Sequence, residues 1–148
     1  VLQTLSKAWG LAGARIGFAF ANEEIINYFN KVKPPYNVNV LTQQVALKRI
    51  LEEENVQLEI TKLISEREKL INQLSTINFI NHSYKTDANF ILVKVDDANK
   101  RYKQLIENGI VIRNRSTQPL CENTLRFTVG TAPENEKLIT TLKSISKS

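Results

Sequence analysis

The sequence predicts an α/β protein whose C-terminal part is an α+β layer, and three observations predict it. Short apolar runs of strand length, such as Asn89-Phe90-Ile91-Leu92-Val93-Lys94-Val95, alternate with longer stretches whose apolar residues recur every three or four positions. Helix punctuation stands where the period changes: Asn22 ahead of Glu23-Glu24, Asn108-Gly109, and Ala132-Pro133-Glu134. From residue 89 onward the order is strand, helix, strand, strand, helix, which lays helices on one face of a sheet.

Taken along the chain, residues 1–6 are β-capable and lead into a turn rich in small residues. Ile16-Gly17-Phe18-Ala19-Phe20-Ala21 is a compact apolar run, expected as a buried strand. Asn22 offers a helix cap, with Glu23 and Glu24 in the positive first turn. The helix that follows carries Ile25, Ile26 and Phe29 on one face and must end before Pro34-Pro35. Residues 34–39 read as a linker between two structural units.

A second helix is expected over residues 40–50 and a long third one over residues 56–74. In the third, Val56, Ile60, Leu63, Ile64, Ile71 and Leu74 form one stripe at helical spacing, expected in a core. Glu66-Arg67-Glu68-Lys69 lies off that stripe and is expected to be solvated. Beyond it come a central strand over 89–95 and a helix over 98–107 that Asn108-Gly109 closes. Strands are expected over 110–113 and 124–129. The last helix opens with Pro133 in its first turn and turns Leu138, Ile139, Leu142 and Ile145 inward.

The chemistry is concentrated in Thr4-Leu5-Ser6-Lys7-Ala8-Trp9-Gly10-Leu11-Ala12-Gly13-Ala14-Arg15-Ile16-Gly17. An aldehyde cofactor needs an amine that loses its proton and condenses with it, and Lys7 is that candidate. Useful reactivity near neutral pH requires burial or a neighbouring cation to lower the amine's pKa, and Arg15 is near in sequence. A phosphate needs hydroxyls and a fixed guanidinium fork, for which Thr4, Ser6 and Arg15 are the candidates. Thr4 and Ser6 share a face if the segment is extended; local turn bonding to the backbone is the plainer use of both. Trp9 reads either as a pocket wall or as plain core.

Arg113 and Arg126 form a second constellation. Arginine among apolar strand residues is costly unless it meets an anion, either a bound ligand or a structural carboxylate. His82 has no cysteine or acidic cluster at ligand spacing around it, so no metal site is expected. Cys121 is the single cysteine, which excludes an internal disulfide framework.

The lysine stretch resembles the cofactor-lysine signature of the fold-type I, class-II-like aminotransferases, which every position from Thr4 to Gly13 fits. Val111-Ile112-Arg113-Asn114-Arg115-Ser116, followed by Leu125-Arg126-Phe127-Thr128-Val129-Gly130-Thr131, is similar to the histidinol-phosphate aminotransferases in particular. The resemblance covers essentially the whole chain. It implies the pyridoxal-phosphate-dependent transferase fold of type I, with residues 1–33 the C-terminal edge of the large cofactor-binding domain and 34–148 the small domain. It implies pyridoxal 5'-phosphate held on Lys7, and Arg126 gripping the anionic end of the substrate. Histidinol phosphate has no carboxylate, so Arg126 and Arg113 are expected on its phosphate. The implied reaction is amino transfer between histidinol phosphate and 2-oxoglutarate, with imidazole acetol phosphate and glutamate on the other side, in histidine biosynthesis. A cytoplasmic homodimer is implied with it. The family's partners for the cofactor ring precede the lysine. The chain starts at a valine and contains no methionine, so it is expected to be a C-terminal portion, weak or inactive alone.

Composition narrows the alternatives. No apolar run approaches the roughly 20 residues of a membrane helix. The net charge of +5 raises nucleic acid as a partner. However, the basic residues are mixed with acids, as in Lys48-Arg49-Ile50-Leu51-Glu52-Glu53-Glu54, and no aromatic stripe interleaves with them. An aromatic or aspartate-type aminotransferase or a phosphothreonine decarboxylase would share the lysine motif. A basic ferredoxin-like module that binds RNA is the alternative outside enzymes.

Overall fold

The computed structural model describes residues 1–147, and their contacts group into two units that divide after Ile60. In the first unit β1 (Leu2–Thr4) and β2 (Gly17–Ala19) form an antiparallel ribbon, with Leu2 opposite Ala19, Gln3 opposite Phe18 and Thr4 opposite Gly17. A short 3-10 turn at Ala12–Ala14 lies between them. The expected burial of the second strand is not found: all three of its residues are exposed, as is Phe20, 57% of whose surface is open. An isolated two-stranded ribbon presents apolar side chains on both faces, and no layer of its own unit covers them.

Helix α1 (Glu23–Val32) begins where expected, because the Asn22 side chain accepts the Ile25 N–H at 3.0 Å. It ends as the Lys33 N–H bonds the Phe29 carbonyl, just ahead of the two prolines. Helix α2 (Val40–Leu51) is capped by Asn39, which accepts the Thr42 N–H at 2.8 Å. Helix α3 (Glu53–Leu74) starts three residues before the expected point, with Glu53 and Glu54 in its first turn. Those carboxylates suit the positive end of the helix.

The second unit, from Thr61, contains β3 (Ile80–Ser83), β4 (Phe90–Val95), α4 (Ala98–Glu107), β5 (Arg113–Asn114), β6 (Thr124–Thr128) and α5 (Ala132–Ile145). The sheet is antiparallel in the order β3-β4-β6-β5. One face is core: Ile91, Val93, Leu125 and Phe127 are completely buried against Leu70 and Leu74 of α3, Leu105 of α4 and Leu142 of α5. Each such side chain contributes about 1.5–3 kcal/mol on leaving water. The other face carries Phe90, Leu92, Lys94, Arg126 and Thr128, because successive strand residues alternate.

Three expectations need correction here. Strand β3 was not foreseen, since Ile80-Asn81-His82-Ser83 holds a single apolar residue. The strand expected over 110–113 shrinks to Arg113–Asn114, because the Ile110 N–H is committed to closing α4. It donates to the Leu105 carbonyl at 2.9 Å while the Gly109 N–H donates to that of Ile106, the paired closure of a helix C-terminus. The 66–69 charge run is not simply solvated. Glu66 accepts the buried Asn135 side-chain amide at 3.1 Å, and Arg67 donates to the Ala88 carbonyl at 3.1 Å.

Candidate functional site

Thr4, Ser6, Lys7 and Arg15 lie on one closed loop of the first unit. The Leu5 N–H donates to the Ile16 carbonyl at 3.3 Å, and the Leu11 N–H donates to the Leu5 carbonyl at 2.9 Å. Leu5 is therefore bonded through both its backbone groups, and it is the loop's one buried side chain. Within this closure the Gly10 N–H bonds the Lys7 carbonyl at 2.9 Å, which makes residues 7–10 a tight turn. Gly10 adopts φ 70°, a left-handed conformation that side chains resist. At Gly17 the constraint is proximity: a Cβ there would sit 2.8 Å from the Gln3 carbonyl oxygen.

The hydroxyls are paired, but across a bend and not along an extended strand, because β1 ends at Thr4. Thr4 Oγ1 donates to Ser6 Oγ at 2.9 Å and accepts the Ser6 N–H at 3.1 Å. This is the local turn bonding raised as the plainer use, and Thr4 Oγ1 also stands 3.4 Å from the Ile16 carbonyl, so its single hydrogen has two acceptors. Arg15 is left-handed at φ 54°, and one Nη1 bond to the Ala12 carbonyl at 3.1 Å folds its side chain back over the loop. A non-glycine residue there costs about 1–3 kcal/mol, the kind of strain that collects at ligand sites. A primary amine, two hydroxyls and a guanidinium held by one bond on a single loop fit an aldehyde that carries a phosphate. Lys7 itself is exposed, contrary to the burial expected for it. It stands at the start of the surface turn over residues 7–10 that follows the buried Leu5.

Arg113 and Arg126 are brought together in the second unit. They are direct cross-strand partners in the β5–β6 register and therefore share the open face of the sheet. Arg113 is exposed, whereas Arg126 is half-buried with its guanidinium carbon 4.9 Å from the centre of the Phe90 ring. The Arg126 Nε is buried without a hydrogen-bond partner. Neither arginine has a carboxylate partner among the described residues. The structural ion pair that would have explained them is thus not what holds them.

Several contributors escaped the sequence reading. Phe90 looked like one more strand residue, and only its diagonal place beside Arg126 reveals the ring under the guanidinium. Arg49 and Thr42 of α2 reach the lysine loop, through bonds to the Trp9 carbonyl at 3.0 Å and the Ala14 carbonyl at 3.3 Å. Asn135 is buried and holds the turn after β6, accepting the Gly130 N–H at 2.9 Å and donating to its carbonyl at 3.1 Å. The capping box between Thr131 and Glu134 was also missed, and Glu134 accepts the Thr131 N–H at 2.7 Å.

The same loop and sheet recur in known proteins. The model of the family "Aminotransferase class I and II" matches residues 1–142. The chain belongs to the class I and II aminotransferase family. Among its relatives, the histidinol-phosphate aminotransferase of Flavobacterium johnsoniae is 58% identical over 146 residues, which is 99% of this chain and 42% of that protein. The chain thus spans less than half the length of the relatives it matches. The solved histidinol-phosphate aminotransferase from Clostridium acetobutylicum superposes with a TM-score of 0.92 at 24% identity, over 99% of this chain and 45% of that one. That from Sinorhizobium meliloti, solved in complex with pyridoxal-5'-phosphate, gives 0.84 at 19% identity, over 99% and 40%. These two likenesses establish the aminotransferase fold.

Proposed function

We propose that this chain supplies the lysine-bearing portion of a pyridoxal-phosphate-dependent aminotransferase that exchanges an amino group between histidinol phosphate and 2-oxoglutarate. The observation that carries the substrate assignment is the Arg113–Arg126 pair on an open sheet face, with the Arg126 Nε buried and unpartnered. Two like charges directly opposite one another destabilise a sheet until an anion joins them. A phosphate is the anion that two guanidinium forks match best. The name carried by the relative at 58% identity supports the same substrate.

When bound, pyridoxal phosphate supplies an electron sink for the substrate carbon that loses its proton. The Lys7 amine holds the cofactor by its aldehyde and then moves the proton at the substrate carbon that bears nitrogen. Ser6, Thr4 and Arg15 hold the cofactor phosphate. Arg113 and Arg126 hold the phosphate of the substrate and so fix where its reacting carbon stands. The reverse direction takes imidazole acetol phosphate and glutamate. With this reading go residues 1–33 as the edge of the large domain, 34–148 as the small domain, and a cytoplasmic homodimer. The exposed apolar Ile25, Phe29 and Val32 of α1 support a surface that further protein covers.

The experiment is a comparison of histidinol phosphate with histidinol as amino donor to 2-oxoglutarate, using the full-length protein. A preference of at least about a hundredfold in kcat/KM for the phosphorylated donor is expected from a site that must otherwise leave charged donors unpaired. Equal use of aspartate or an aromatic amino acid would overturn the substrate, as would CO2 release from phosphothreonine. Salt-sensitive RNA binding, with no spectral change on adding pyridoxal phosphate, would overturn the enzyme reading altogether.

A further inference from the structure

We propose that Arg49 is a positioning residue for Lys7, acting through the carbonyl of Trp9. This rests on the reading of Lys7 as the cofactor amine. The Lys7–Gly10 turn is closed by one internal bond, and the Trp9 carbonyl inside it points away and accepts Arg49 Nε at 3.0 Å. Fixing that oxygen fixes the plane of the Trp9–Gly10 peptide, and Gly10 at φ 70° continues from it in the one sense that closes the turn. The residue at the start of the turn is Lys7.

Arg49 has little freedom to swing away. Its side chain is only 17% exposed, and its terminal nitrogens are engaged by Glu52 at 3.4 Å and by Glu59. Glu59, and after it Glu52, hold the guanidinium above its ordinary pKa. With two carboxylates on its terminal nitrogens, Arg49 is not a second cation for a phosphate, and its Nε–H serves the backbone. Seven residues earlier on α2, Thr42 Oγ1 donates to the Ala14 carbonyl at 3.3 Å. Residues seven apart lie on one face of a helix. Helix α2 therefore clasps the loop at both ends, between Lys7 and Arg15. A guanidinium suits the first clasp because its donors leave at fixed angles, one to the carbonyl and two to the acids, as an ammonium's do not.

The test uses the full-length protein in Arg49→Met, Arg49→Lys, Glu59→Gln and Lys7→Ala forms. The first readout is the rate at which added pyridoxal phosphate becomes fixed to Lys7 on borohydride reduction, located by peptide mass. The second is the rate at which an acylating reagent labels Lys7 in the cofactor-free protein. The third is kcat and KM at saturating cofactor, well below Tm. For Arg49→Met we expect capture and kcat to fall about tenfold, with KM for the phosphorylated donor within about twofold. Labelling of Lys7 changes with them, Arg49→Lys fails to restore any of the three, and Glu59→Gln moves in the same direction by less. Unchanged capture and kcat in Arg49→Met, or full rescue by Arg49→Lys, would overturn the brace. If Arg49→Met does not fold, unchanged capture in Glu59→Gln overturns it instead. Capture that persists in Lys7→Ala overturns the assignment of the amine itself, whatever Arg49 does.

Discussion

Arg113 and Arg126 stand directly opposite each other across β5 and β6, two positive side chains on one face of a sheet with no carboxylate between them. Their surroundings are unequal. Arg126 is half-buried over an aromatic ring, whereas Arg113 is exposed. Arg126→Lys keeps the charge but loses the planar fork, so kcat/KM for histidinol phosphate should fall about ten- to hundredfold. Arg113→Lys should cost less, and both changes should cost less with a donor that lacks phosphate. Steady-state kinetics on the paired donors checks this.

Phe90 tests whether the ring beneath Arg126 contributes to binding. A cation over an aromatic face is worth about 0.5–2 kcal/mol. Phe90→Leu keeps an apolar residue on the strand and removes the ring, so KM for the phosphorylated donor should rise several-fold with kcat nearly unchanged. Phe90→Tyr should restore most of the loss.

Acid should destabilise the fold through three carboxylates. Lys69 and then Asn135 hold Glu66 low, Arg101 holds Asp96 low, and the Thr131 hydroxyl and N–H hold Glu134 low. A carboxylate whose folded pKa lies below its unfolded value of about 4 adds stability above that value. The contribution is lost as pH falls through the lowered folded pKa. The urea midpoint should therefore be steady from pH 7 to 5 and drop below about pH 4. In Asp96→Asn the midpoint at pH 7 should be lower and the drop shallower, as denaturation curves at stepped pH would record.

Gly17→Ala isolates the strand that carries the far end of the lysine loop. The added Cβ would meet backbone, the Gln3 carbonyl oxygen at 2.8 Å, so the strands must part. Overpacking of this kind costs about 1–3 kcal/mol. Weaker capture of pyridoxal phosphate is expected alongside a lower Tm, while Gly13→Ala, with open space around it, should change neither much.

Where a residue's part depends on its near neighbours, the sequence was legible. Asn22 ahead of two glutamates, Asn108-Gly109 and Ala132-Pro133-Glu134 all mark helix ends that the fold places where expected. The Thr4–Ser6 hydroxyl pair is realised through local turn bonding, the plainer use of both residues, and not through strand alternation. What could not be read depends on register and on packing at a distance. Nothing in Leu125-Arg126-Phe127 announces that Arg126 will lie over Phe90, because that contact needs the β4–β6 alignment. Arg49 sits in a run of mixed charge and looked solvated, yet it spans 40 positions to the Trp9 carbonyl. Local apolarity also misled at Phe18 and Phe20, since burial requires a second layer and not merely an apolar strand.

The brevity of β5 sets a hierarchy of motion within the face that carries the two arginines. Arg113 rides on a pairing of only two residues at the sheet edge, while Arg126 belongs to a strand bonded along five positions to its central neighbour. Edge segments with so few ladder bonds open far more readily than core strands. Amide hydrogens at 113 and 114 should exchange with deuterium well before those of 125–127. With the proposed function, one arm of the fork can release its grip while the other keeps its place, so a departing product need not wait for the sheet to unfold.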